Sequence, residues 1–114
     1  MRTQHPPQTT AYTIMEEMGN AVLSDFIQSI TTTRFSSHYF IDLFRSHFSV
    51  EYERMLQVYH EYADDNHRNT KISNAIGRYL GNHQSGLRIE KIGIEQSKNI
   101  NGTMSKASVW RKIM

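Results

Sequence analysis

A chain of 114 residues supports one ordinary hydrophobic core and not two, so a single domain is the expectation. Its hydrophobic fraction of 38%, with five Phe, six Tyr and one Trp, is too high for a disordered chain, and the lack of Cys excludes disulfides, thiol nucleophiles and Cys-ligated zinc. The net charge of +2 hides a segregation: residues 1–64 carry four Lys/Arg against eight Asp/Glu, and residues 65–114 carry nine against three. The C-terminal half is therefore the one expected to meet a polyanion.

Residues 1–10, with Pro6 and Pro7, show no apolar period and read as a flexible lead-in. No stretch approaches the roughly 20 apolar residues that span a bilayer. The start also lacks the apolar segment of a secretion signal, so the expectation is a cytoplasmic protein without membrane contact. From Tyr12 onward, Ile14, Met15, Met18, Ala21, Val22, Phe26 and Ile30 recur at spacings of three and four, which predicts one amphipathic helix over 12–30. Its stripe of Met15, Met18, Val22 and Phe26 needs a partner, either the chain's own core or the same helix of a second copy.

Thr31, Thr32 and Thr33 are β-branched and end that helix, after which Ser36 or Ser37 can cap a second one running to about Phe48. Phe40, Ile41, Leu43, Phe44 and Phe48 form the densest apolar set and belong at the centre of the core. Ser49 is the expected cap of a third helix with Glu51 and Glu53 in its first turn and Tyr52, Met55, Leu56, Tyr59 and Ala63 buried. After the polar break at 63–67, Asn69 or Thr70 can cap a fourth helix over 70–82, with Ile72, Ala75, Ile76, Tyr79 and Leu80 on one face.

The period then changes. Leu87, Ile89, Ile92 and Ile94 lead to Asn101-Gly102, a strong two-residue turn signal, and residues 109–113 return. Symmetric pairing about that turn sets Ile94 opposite Val109, and puts Lys98 and Lys106 on opposite faces of the ribbon. The expected class is mainly α with a small β-hairpin.

With Ile72, Ile76 and Tyr79 inward, a rotation of about 100° per residue turns Thr70, Lys71, Asn74, Gly77, Arg78 and Gly81 outward. Asn and Arg can pair bidentately with adenine and guanine edges, which makes Asn74 and Arg78 candidates for base contact. Thr70, Lys71 and Ser73, at the expected helix start, suit phosphate or base contact. A glycine in mid-helix costs about 1 kcal/mol relative to Ala, so Gly77 implies close approach of a ligand or tight packing on the preceding helix. On the hairpin, Lys98, Asn99 and Lys106 lie near the tip, where no core exists.

This order of helices and hairpin over 35–113, with the stretch NTKISNAIGRYLGNHQSGLRIEKIG from Asn69 to Gly93, resembles the winged-helix branch of the helix-turn-helix superfamily. The resemblance implies a winged helix-turn-helix domain over 35–114, preceded by an extra N-terminal helix over 11–34 that can serve as a dimerisation element. It implies that helix 70–82 enters the major groove of double-stranded DNA while the wing, 95–108, grips the backbone or minor groove. The expected DNA-binding residues are Thr70, Lys71, Ser73, Asn74, Gly77, Arg78, Lys98, Asn99 and Lys106, in a homodimer paired through the N-terminal helix. The expected function is sequence-specific DNA binding, in a transcriptional regulator or a replication or partition accessory factor. Two other readings compete with it: a winged-helix module for protein–protein assembly, and a nucleic-acid-binding module of a larger replication or restriction system.

His38, His47, His60, His67 and His83 are scattered, with no HExxH spacing, no glycine-rich phosphate loop and no GxSxG elbow. No catalytic residue, metal or cofactor is expected.

Overall fold

The computed structural model describes residues 9–113, so most of the expected lead-in lies outside the described residues. The first helix, α1 (Ala11–Met18), begins at Thr10, whose hydroxyl accepts from the Thr13 N–H while the Thr13 hydroxyl accepts from the Thr10 N–H. Where one helix over 12–30 was expected there are two. Gly19 takes φ +86°, a value that favours glycine, and turns the chain into α2 (Asn20–Ser29). The break lets both short helices bury apolar faces: Ala11, Ile14 and Met15 from α1, and Leu23, Phe26 and Ile27 from α2. Met18 packs partly against the same core, and of the stripe offered to a second copy only Val22 stays open, 47% exposed. Most of that stripe is thus covered by the chain's own core.

Residues 31–33 lead into a short strand, β1 (Arg34–Ser36), that sequence periodicity does not reveal. Ser36 then caps α3 (Ser37–His47), accepting from the Tyr39 N–H at 3.1 Å. Helix α4 (Ser49–Val58) has Ser49 as its first residue rather than as a side-chain cap, and Ala63 lies beyond its end, exposed. Helix α5 (Asp65–Asn82) starts more than a turn earlier than expected, because Asp64 accepts from the Asn66 N–H at 3.0 Å and Asp65 adds a favourable negative charge to the first turn. The short α6 (Gln84–Leu87) follows, and Arg88, at φ +60°, turns the chain into β2 (Ile89–Lys98) and then β3 (Met104–Lys112).

The three strands form an antiparallel sheet in the order β1-β3-β2. Its hairpin register is one residue away from symmetric pairing about Asn101-Gly102: Lys98 pairs with Met104, Ile94 with Ser108 and Gly93 with Val109. The turn chemistry explains the slip. Asn99 donates its N–H to the Thr103 carbonyl at 2.8 Å and accepts the Gly102 N–H on its own carbonyl at 2.9 Å, leaving three residues in the loop with Gly102 at φ +81°. The Asn99 side chain fixes this form by accepting from the N–H groups of Asn101 and Thr103, at 2.9 and 3.1 Å. A slip of one residue flips a side chain to the other face, so Lys98 and Lys106 share a face instead of opposing each other.

One core joins all these elements. Phe44 is fully buried, its ring centre 5.9 Å from that of Phe40 and 5.3 Å from that of Phe48, and Phe26 meets Phe40 at 5.7 Å. Trp110 of β3 is 2% exposed, and its indole N–H donates to the Ser37 hydroxyl at 2.9 Å, fastening the sheet to the start of α3. Among the described residues no helix is long and apolar enough to cross a membrane. Truncating the central ring leaves a cavity that this packing cannot close, so Phe44→Ala is expected to lower unfolding free energy by about 3–5 kcal/mol. Chemical denaturation read by circular dichroism measures it, and a loss below about 1 kcal/mol would mean that the aromatic cluster does not hold the helices together.

Candidate functional site

Between α5 and the hairpin lies a groove of about 460 Å³. Ile72, Ala75, Ile76, Tyr79 and Leu80 are buried, and this inward stripe turns Thr70, Asn74 and Arg78 outward, where with Ser73 and Gly77 they form one wall. Residues 105–108 of β3 form the other wall, Ser37, His38 and Ile41 of α3 the floor, and residues 99–101 of the hairpin turn close one end. None of the lining residues is Asp or Glu. A concave surface that mixes hydroxyls and amides with the apolar Ile41, Ile100 and Ala107, and carries two cations, Arg78 and Lys106, with no carboxylate, favours an anionic ligand.

Seven of the nine expected site residues come together here: Thr70, Ser73, Asn74, Gly77, Arg78, Asn99 and Lys106. Lys71 does not line the groove; its ammonium lies 5.6 Å from the centre of the Tyr62 ring. Lys98 lines a separate hollow with Arg34, Asp42 and Glu95. The ion pairs among the described residues are Arg54–Glu17, Arg68–Asp65 and Arg111–Glu90, and they leave Lys71, Arg78, Lys98 and Lys106 without a carboxylate partner. Arg78 is instead held over the Tyr12 ring, at 5.4 Å from its centre, which orients the guanidinium before any ligand arrives.

Four residues have other roles than a sequence reading gives them. Because α5 begins at Asp65, Thr70, Lys71 and Ser73 sit past its first turn, away from the free N–H groups of the helix start. Thr70 donates to the Asn66 carbonyl at 2.9 Å, and the Ser73 hydroxyl is buried without a hydrogen-bond partner. Asn99 spends its side chain on the turn and, at 3.1 Å, on the Ser105 hydroxyl.

The hairpin tip is tied down. Asn69 donates to the Asn101 side-chain oxygen at 3.2 Å, and the Asn101 amide donates to the Asn66 carbonyl at 3.0 Å and to the Thr70 hydroxyl at 3.2 Å. Behind this latch the Tyr52 hydroxyl donates to Asn69 at 2.7 Å. Burial pushes the Tyr52 hydroxyl up to about 12, with Arg45 opposing and Asp42 adding, so it remains a donor at neutral pH. His38, on the groove floor, completes the frame: its Nδ1 lies 2.7 Å from the Ser97 hydroxyl and its Nε2 3.4 Å from that of Ser105. Neither His38 nor the Asn69–Asn101 contact has a local sequence signal, since each joins segments far apart in the chain. Among the described residues no three His, Asp or Glu side chains gather as a metal cluster.

Gly77 has no heavy atom within 4 Å of the place a Cβ would occupy, so packing on a neighbouring helix does not account for it. Gly77→Ala is accordingly expected to stabilise the free protein by up to about 1 kcal/mol in a denaturation experiment, and a loss would contradict the open geometry. Asn101→Ala is expected to speed hydrogen exchange at the amides of residues 66–70 and 100–103 while leaving Val109 and Trp110 protected; unchanged exchange at the tip would show that the latch holds nothing. Comparison of the chain with protein-family models, curated proteins and solved structures gave no match.

Proposed function

We propose that the chain is a sequence-specific double-stranded DNA-binding protein of winged-helix type, acting as a transcriptional regulator or as a replication or partition accessory factor. In this reading α5 lies in the major groove and the hairpin β2–β3 is the wing on the backbone or minor groove. The observation that carries it is the carboxylate-free groove shared by Asn74 and Arg78 of α5 and Lys106 of β3. The strand order β1-β3-β2, with β1 immediately before α3 and the hairpin after α5, supports it.

The division of labour follows from chemistry. Asn74 and Arg78 can discriminate bases, because each offers a bidentate pairing that only one base edge satisfies. Lys98 and Lys106 carry charge without that geometry, so they hold phosphates of any sequence. Gly77, with open space outside it, lets the helix backbone approach the base edges closely. The binding involves no chemical step.

Titration of wild-type and variant protein against cognate and scrambled duplexes at several salt concentrations tests the reading. With about four to six phosphate contacts, log K is expected to fall against log salt with a slope of roughly -4 to -5. Asn74→Ala and Arg78→Ala are expected to lower cognate affinity by about 1–3 kcal/mol each and to spare scrambled DNA apart from one lost charge at Arg78. Lys98→Ala combined with Lys106→Ala is expected to weaken both duplexes alike and reduce the slope by up to about 2. A flat salt response contradicts DNA binding itself, and helix variants that lose both duplexes equally contradict the assignment of α5 as the reader.

A further inference from the structure

The outer face of the hairpin has an unusual composition. The register pairs Lys98 with Met104 and Gln96 with Lys106, and paired residues, like alternate residues of one strand, share a face. Met104 therefore stands between two lysines, with Ile94 farther toward the base on the same side. Met104 is 56% exposed and Ile94 61%. By register no carboxylate shares this face, since Glu95 pairs with Ala107 on the opposite one; Lys98 also borders the hollow that holds Asp42 and Glu95, but among the described residues neither Lys98 nor Lys106 forms an ion pair. Lys106 also lines the groove beside α5, so the face continues the surface already described.

A single exposed methionine needs no explanation, but its setting here narrows what can cover it. A purely apolar partner would have to strip water from two ammonium groups without replacing it, which is costly. A purely anionic partner would satisfy Lys98 and Lys106 and leave the thioether in water. A duplex groove supplies both chemistries at once, with phosphates along its edges and sugars and base edges on its floor. We infer that Met104 is the hairpin's apolar contact with the minor groove of duplex DNA, seated against sugars and base edges while Lys98 and Lys106 neutralise flanking phosphates. The inference rests on the DNA-binding reading. An unbranched, polarizable side chain suits this place because it fits a floor of varying shape, and apolar side chains of this kind are used as wedges by minor-groove proteins.

Wild type, Met104→Ala, Met104→Leu and Lys98→Ala are titrated with a mixed-sequence duplex over a range of salt, with circular dichroism as the folding control. Met104→Ala is expected to weaken binding about five- to tenfold at every salt concentration with the slope unchanged, since a thioether releases no counterion, and Met104→Leu to restore most of the loss. Lys98→Ala is expected to lower the slope by about one. Met104→Ala binding like wild type while Lys98→Ala lowers the slope overturns the inference and leaves the DNA reading standing. No binding of wild type to the duplex at low salt overturns both. Binding to vesicles of anionic phospholipid in place of the duplex, lost in Met104→Ala, assigns the face to a membrane surface and overturns the inference equally.

Discussion

Burial of Trp110 is the constraint on which the arrangement of helix and hairpin depends. The indole comes from the last strand, sits 2% exposed in the core, and finds its one hydrogen-bond partner in Ser37, the first residue of α3. A buried indole N–H without a partner would be costly, so the pairing fixes not only depth but orientation. Because β3 is the central strand, the same contact sets β1 on one side and β2 on the other. The base of the hairpin is thereby anchored to the helices. Its tip is brought to the start of α5 by the Asn69–Asn101 latch, and what remains between the two anchors is the groove.

That construction has a consequence for electrostatics. Nine of the thirteen Lys and Arg residues lie beyond residue 64, and a chain folded without the two anchors would scatter them. With the anchors in place, Arg78 and Lys106 line one concavity that holds no carboxylate, while Lys71 lies over the Tyr62 ring and Lys98 borders a separate hollow. Like charges gathered in this way repel one another, which lowers the stability of the free protein and favours a polyanion. The open space beside Gly77 and the unpartnered Ser73 hydroxyl belong to the same wall. Local rules of helix propensity and polar satisfaction are thus broken together on one face of α5, and such clustering is expected where a surface is shaped for a ligand rather than for stability.

Much of this was legible in the sequence, for identifiable reasons. The stripe Ile72, Ile76, Tyr79 has a helical period, and the burial of these residues fixes the opposite face that carries Asn74 and Arg78. Phe44 stands in the densest apolar run and is fully buried. A cap at Ser36 or Ser37 was readable because a serine before an apolar helix can accept an orphan N–H, and the structure gives that role to Ser36. What was not legible depended on atoms far apart or on a choice between two local solutions. Gly19 could sit inside a helix at a modest cost, and only the packing of α1 against Tyr79 and Tyr59 shows why the chain bends there. The three residues of β1 are too few to show a period, and they become a strand only because β3 lies beside them. Asn101-Gly102 fits a two-residue loop as well as a three-residue one, and the side chain of Asn99 decides between them. That decision moves Lys98 and Lys106 to one face, so an error of a single residue in register changes which surface carries the two charges.

The central claim is that α5 and the tethered hairpin act as one surface toward duplex DNA. Mapping backbone amide shifts by nuclear magnetic resonance during titration with a duplex tests it most directly. The account predicts perturbations concentrated in residues 70–78 of α5 and 98–106 of the hairpin, moving together along one titration curve, with α2 and α4 unaffected. Perturbations centred on α2 or α4, or two independent curves for helix and hairpin, would contradict it.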